Sequence, residues 1–336
     1  MHIKKIAIGI VFVVVLVGVF AYLQRSTFQQ NEKPKTVEKI TISRYELPTL
    51  ALLFIAEQNG YFKDENLDVV YRKFPSGKDA LADVLAGNAD IATVYETPVV
   101  RQIYGGKDVS IISTLHTSSK FMALVGMRNK GINSIEDIRG KKIGVFKGTS
   151  HEFFLTSYLT SQGIKLSDVT LVHTEYTNSI NSLRNGSIDA VVVENPYFYE
   201  LKKEFPADKI IIFQSDVYTT NSVLAGDTSV IKTKKEALTR LLRALVRAED
   251  LLKNNKEEAI KSVIKSVPEF SEESIRGTWD QFTPTVSLNN ILLSIMNREA
   301  QWFKDNAVFE RPIPDFRKSL FIEYLKEVRP DAVTVY

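Results

Sequence analysis

Gly144-Val145-Phe146-Lys147-Gly148-Thr149-Ser150-His151-Glu152 is the stretch whose residue types and spacing could do chemistry. Lys142 to Phe146 reads as a short buried strand, and Gly148 permits a tight turn after it. Phe153, Phe154, Tyr158 and Leu159 recur at helical spacing, which predicts a helix from Thr149 or Ser150. Free N–H groups at such a helix start, with two hydroxyls beside them, can hold an anion. The same residues can also satisfy themselves, because Thr149-x-x-Glu152 is a capping box that needs no ligand. Glu96 and Glu194 each follow an apolar strand and could form a carboxylate pair of the kind glycoside hydrolysis uses. No Ser-His-Asp spacing is present, and His151 beside Glu152 is not the two-His helical pattern of a zinc protease. The chain has no cysteine, which excludes disulfides, a thiol nucleophile, thiolate metal ligands and a lipid-modified N-terminal Cys. No catalytic residue, metal site or cofactor is assigned.

These residues need elements to position them, and the pattern supplies two series. In the first, Val37 to Ser43 alternates as a strand, and Tyr45-Glu46-Leu47-Pro48-Thr49 forms a loop. A helix spans Leu50 to Gln58, stopped by Asn59-Gly60. Leu67 to Tyr71 is a strand, Ser76-x-x-Asp79 caps a helix over 77–86, and further strands cover 90–94 and 109–115. The second series has strands at 121–127, 142–146, 169–173, 188–193 and 210–213, with a helix near 178–184. Strands alternating with helices at this spacing predict α/β units and mostly parallel sheets. The two series echo each other. Leu85-x-Gly87-x-x-Asp90 leads to Glu96-x-Pro98, and Leu183-x-x-Gly186-x-x-Asp189 leads to Glu194-x-Pro196. Each Glu stands beyond the C-terminal end of a strand, the ligand side of an open α/β sheet. From Lys234 the chain is helical, with Leu238, Leu241, Leu242 and Leu245 on a core-facing stripe.

The 336 residues are 44% hydrophobic and 25% charged, an ordinary globular composition with room for two domains. The formal charge is +3, and Lys4, Lys5 and Arg25 supply that excess with no acid among the first 25 residues. The remainder is neutral, which argues against nucleic acid as the partner. The uncharged run Ile6 to Leu23 predicts a signal or anchor helix over 1–24, with the body exported. The polar stretch 25–36 reads as a tether.

Four segments together resemble a known family. They are Leu50-Ala51-Leu52-x-x-Ile55-Ala56-x-x-x-Gly60-Tyr61-Phe62-x-x-Glu65-x-Leu67-Asp68-Val69; Leu85-Ala86-Gly87-x-Ala89-Asp90-Ile91-Ala92; Ile135-Glu136-Asp137-Ile138-Arg139-Gly140-Lys141-Lys142-Ile143-Gly144-Val145; and Asp189-Ala190-Val191-Val192-Val193-x-x-Pro196. In this order they resemble the SsuA/THI5-like extracytoplasmic solute-binding proteins of ABC importers for sulfonates, taurine, nitrate and thiamin-pyrimidine precursors. The resemblance implies a two-lobed periplasmic-binding-protein fold of type II. Lobe 1 would hold 37–124 plus 225–336, and lobe 2 would hold 125–224. Phe121 to Met127 and Asn221 to Gly226 would cross between them. It implies a cleft lined by Tyr45, Glu46, Thr49, Ser76, Gly77, Glu96, Thr97, Gly148, Thr149, Ser150, Glu194 and Tyr197. The expected ligand is a small organic solute: a sulfonate, a zwitterion or an amino-pyrimidine. The expected partners are an ABC permease with its ATPase and, through the N-terminal helix, the membrane; the protein is expected to be a monomer. The alternatives are an enzyme or a sensor on the same two-lobe fold. A pyrimidine synthase that shares the fold carries a cysteine-rich segment, which this chain lacks.

Fractionation of expressing cells tests the N-terminal expectation. The body should sediment with membranes, and a soluble product beginning near Tyr22 would show that Ile6 to Leu23 is a cleaved signal instead.

Overall fold

Every apolar run flanked by turn residues from 38 onward becomes a strand or a helix, and the strands sort into two sheets. The computed structural model describes residues 36–335. The expected helix over 1–24, and all of the tether except Thr36, lie outside the described residues. Among the described residues no helix is long and apolar enough to cross a membrane.

The strands are β1 (Glu38–Tyr45), β2 (Leu67–Phe74), β3 (Ile91–Tyr95), β4 (Val109–Ser118), β5 (Met122–Met127), β6 (Lys142–Val145), β7 (Thr170–His173), β8 (Ala190–Glu194), β9 (Ile210–Phe213), β10 (Thr220–Asp227), β11 (Thr283–Asn289) and β12 (Val333–Thr334). The helices that bear on function are α1 (Ala51–Gln58), α2 (Gly77–Leu85), α3 (Glu96–Tyr104), α4 (Ser150–Ser161), α5 (Ser179–Arg184), α6 (Tyr197–Glu204), α7 (Lys235–Asn254) and α8 (Asn290–Asp305).

The first sheet has the order β12-β11-β4-β10-β3-β1-β2, and the second has β7-β6-β8-β5-β9. Parallel pairing is concentrated in the βα cores, where β1 pairs with β2 and β3, and β6 pairs with β7 and β8. Strands next to the crossings run antiparallel: β10 with β3 and β4, and β5 with β8 and β9. The sheets are therefore more mixed than a plain βα series predicts. A strand that enters a sheet from the other lobe is free of the crossover geometry that forces parallel pairing.

The chain changes sheets at 119–121 and again at 214–219, because β5 lies wholly in the second sheet and β10 wholly in the first. These points fall a few residues before the expected limits at 124 and 224. The expected crossover segments are thus strands inside the sheets.

α1 shows why the core holds. Leu52, Leu53, Phe54 and Ile55 are all buried, each contributing about 1.5–3 kcal/mol relative to exposure. Gly87 and Gly186 end their helices at φ +82° and +74°, the left-handed stop that glycine adopts without a Cβ penalty. This places β3 and β8, and the acids that follow them, at matching positions in the two lobes.

Gly77 has a different reason. A Cβ there would lie 2.7 Å from the Val94 Cα and 3.3 Å from Tyr45 Cδ1, so α2 starts pressed against the sheet. Gly77→Ala should destabilise the protein by about 1–3 kcal/mol, the range for overpacking. Chemical denaturation measures this, and an unchanged midpoint would show that α2 can lift away from β3.

Candidate functional site

The C-terminal ends of β1, β3, β6 and β8 meet where the two sheets face each other. Tyr45 ends β1, Tyr95 ends β3, Glu194 ends β8, and the turn after β6 leads into α4. All three side chains are buried. Tyr45 and Tyr95 stack with ring centroids 5.6 Å apart, and His116 meets Tyr95 edge-on at 5.7 Å. The Tyr45 hydroxyl is 2.7 Å from Ser222 Oγ, and burial pushes its pKa up.

Around Tyr95 lies a set of buried polar atoms that the protein itself does not satisfy. Thr49 Oγ1, both ring nitrogens of His116, Glu194 Oε2 and Thr220 Oγ1 have no hydrogen bond of good geometry among the described residues. Buried polar groups are nearly always paired, so such a concentration sets this region apart from the rest of the interior. Burial drives the His116 pKa down to about 3, opposed only by the Thr49 backbone. Burial likewise raises Glu194 to about 8, against a hydrogen bond from Tyr95. His151 Nε2 lies 3.9 Å from Glu194 Oε1. With His151 held near 3 by burial, both groups are neutral at pH 7 and the contact is not an ion pair.

The helix start read from sequence has its own internal partners. Thr149 caps α4 by accepting from the His151 N–H at 3.3 Å, and its hydroxyl donates to the Phe146 carbonyl at 2.6 Å. Glu152 accepts from the Gly148 N–H at 2.6 Å. Gly148 takes φ +77° to make the turn. Capping therefore accounts for Thr149 and Glu152. Ser150 is wholly buried and reaches across to Thr97, with oxygens 3.1 Å apart.

The remaining expected residues divide by place. Glu96 and Thr97 are wholly buried at the start of α3. Glu96 accepts from the Tyr218 hydroxyl and from the Asn221 N–H at 2.8 Å, and burial raises it to about 7. It is joined through Tyr218 to Glu299 rather than to Glu194. Ser76 caps α2 through Asp79, and Gly77 packs on β3 and against the Tyr45 ring that stacks on Tyr95. Glu46 is held outward by Arg44 at 2.7 Å and Lys73 at 3.4 Å. It lines a cavity of about 150 Å³ at the mouth with Phe74, Phe146, Tyr197, Glu269 and Phe270. Burial first, then Glu194 and Glu269, raise the Tyr197 hydroxyl to about 12.

His116, Thr220, Tyr218 and Glu299 were not among the expected residues. Glu299 carried a readable signal: it falls on the buried face of α8 with Leu292, Ile295, Met296, Ala300 and Phe303. A charge on an apolar stripe asks for a partner. His116 sits in β4, which runs three residues past the expected end at Leu115.

The NMT1/THI5 like family matches residues 48–259, more than half of the chain. The chain belongs to that family. The matched span holds Thr49, Glu96, Thr97, His116, Ser150 and Glu194, and leaves Tyr45 and Glu299 outside. A protein of Brucella abortus (strain 2308) named as a binding protein is 25% identical over 209 residues, 61% of this chain and 64% of that one. A protein of Bacillus subtilis (strain 168) named as an aliphatic sulfonates-binding protein is 28% identical over 217 residues, 63% and 65% of the two chains. The chain thus spans less than two thirds of these curated relatives. Among solved structures, the periplasmic aliphatic sulphonate binding protein SsuA of Escherichia coli superposes with a TM-score of 0.71 at 17% identity, covering 84% of this chain and 97% of that one. The desulfurization enzyme DSZB superposes with a TM-score of 0.63 at 13% identity, covering 88% and 99%. These likenesses establish the two-lobed α/β fold, which carries binding proteins and enzymes alike.

The raised pKa of Glu194 sets a pH dependence. Its folded value lies near 8 against 4.5 for the free group. Ionising it costs nothing below the lower value, and the penalty grows up to the higher one and then stays constant. Glu194→Gln should therefore melt like the parent at pH 4.5 and increasingly above it as pH rises to 8, by up to about 1.4 kcal/mol per pH unit. Parallel melting curves at pH 5 and pH 8 for the two proteins would show that Glu194 is solvated.

Proposed function

We propose that this protein is the extracytoplasmic binding component of an ABC importer, capturing a small organic solute between its lobes. The observation that carries this reading is the group of buried, unsatisfied polar atoms around Tyr95, at the strand ends where α/β sheets bind ligands. Family membership and the names of the relatives support it. The lobes divide near 119–121 and 214–219, and the anchor is the run Ile6 to Leu23. The loaded monomer delivers its solute to a membrane permease driven by an ATPase.

No lysine or arginine hydrogen-bonds to this set among the described residues. Neutral His116, acidic Glu194 and the Tyr45–Tyr95 stack suit a flat solute with N–H donors and little net negative charge. A zwitterion or amino-substituted ring fits better than a simple sulfonate. The protein acts without turnover in this reading, in which both oxygens of Glu96 are already taken by the Tyr218 hydroxyl and the Asn221 N–H.

A thermal-shift screen of sulfonates, amino acids, pyrimidines and nitrate tests the proposal. The captured solute should stabilise the protein by about 2.7 kcal/mol at 100 times its dissociation constant. It should also lower the radius of gyration in small-angle scattering. Chemical conversion of the stabilising compound would overturn the reading in favour of an enzyme.

A further inference from the structure

Two wholly buried carboxyl groups, Glu96 and Glu299, meet at the lobe junction, joined through Tyr218. Tyr218, on the returning connection, donates to Glu96 Oε1 and lies 3.2 Å from Glu299 Oε1. Thr97 donates to the same Glu299 oxygen. Thr97 Oγ1 is also 3.1 Å from Ser150 Oγ on α4. A continuous run of polar atoms therefore links α8 through α3 to the opposite lobe. Glu299 Oε2 has no hydrogen-bond partner among the described residues.

The groups facing this pair are few. α3 contributes Thr97, β10 contributes the Asn221 N–H, α4 contributes Ser150, and the connection contributes Tyr218. Arg298, next to Glu299, offsets the charge only weakly and turns toward the Val217 carbonyl at 3.3 Å. Tyr218 stays protonated, its pKa raised first by burial and then by the two acids. Two neighbouring carboxylates in a dry site without a matching cation do not both ionise, and one proton belongs to the pair.

We propose that Glu299 is the positioning residue of an interlobe lock, in which a proton held by the Glu96–Glu299 pair lets Glu299 fix Thr97 and Tyr218 while Thr97 holds Ser150 of the opposite lobe. The proposal rests on the lobes opening and closing, as the solute-binding reading requires. When α4 withdraws, Phe153 leaves Tyr218 and Trp302, which it now meets at 5.0 and 5.5 Å, and water gains the pair. The carboxyls then return toward their ordinary 4.5, so closing takes up a proton. Burial holds Glu96 near 7 in the closed form, and burial first and then Glu96 raise Glu299 well above its ordinary value. The closed population is therefore full at low pH and falls as pH rises from about 4.5 through 7.

The chain has no native cysteine, so spin labels can be placed at Lys209→Cys and Lys261→Cys, one exposed position in each lobe. Interlobe distances are read by pulsed electron resonance from pH 5 to pH 9 with no solute present. The ratio of closed to open molecules should fall with pH, by up to about tenfold per unit where one proton is taken up. Glu299→Gln, a permanently neutral isostere that can still accept from Thr97, should flatten this dependence. Glu96→Gln relieves the same pair and should flatten it too, which keeps the test intact if Glu299→Gln fails to fold. One unchanging distance in the parent at every pH overturns the lock, as does a parent-like slope in both variants. Because no solute enters the measurement, a protein that binds its solute with pH-independent closure loses the lock and keeps the function. A pH-dependent protein that captures nothing keeps the lock and loses the function.

Discussion

A carboxylate moved from water into a protein interior loses hydration worth several kcal/mol unless a cation or a full set of donors replaces it. Three carboxyl groups at the lobe junction, Glu96, Glu194 and Glu299, are buried without a matching cation among the described residues, and Glu194 and Glu299 each keep one oxygen without a partner there. Much of the local architecture follows from that. Tyr218 and Thr97 spend their single protons on the acids, the Asn221 N–H is turned inward, and Tyr95 reaches Glu194. The histidines nearby stay neutral because burial penalises their charge as well. The junction is polar in composition but close to uncharged in effect.

The two βα series were legible because each strand is a short apolar run closed by a glycine or an Asn-Gly stop. Gly87 and Gly186 gave the echo that places Glu96 and Glu194 at equivalent strand ends. The order of strands was not legible. β10 inserts between β3 and β4, more than 100 residues from either, and no local pattern announces such a partner. The same limit hid Tyr218 and Glu299, whose roles exist only once α8 packs on α3. Gly77 has a packing role that the sequence does not announce, because it lets the backbone approach within contact of Val94.

Likeness of fold sets the scaffold and leaves the chemistry to the site. SsuA and DSZB superpose on this chain over most of their length at 17% and 13% identity, yet one is named for binding and the other for catalysis.

The route of the chain through the two sheets has a consequence for how the molecule is made. The second sheet is drawn entirely from residues 122–213, a continuous stretch that can close as soon as it is available. The first sheet is split. β1 to β4 emerge before the second sheet, but β4 pairs with β10 and β11, so its neighbours arrive only after the whole second sheet has been made. Until then β4 offers an unpaired edge containing Ile111 and Ile112. Pairings this distant in sequence form slowly, because loop closure precedes any gain from contact. The lobe that starts the chain is therefore the last to finish, and during that interval the half-built sheet is the part of the molecule most in need of protection from its neighbours.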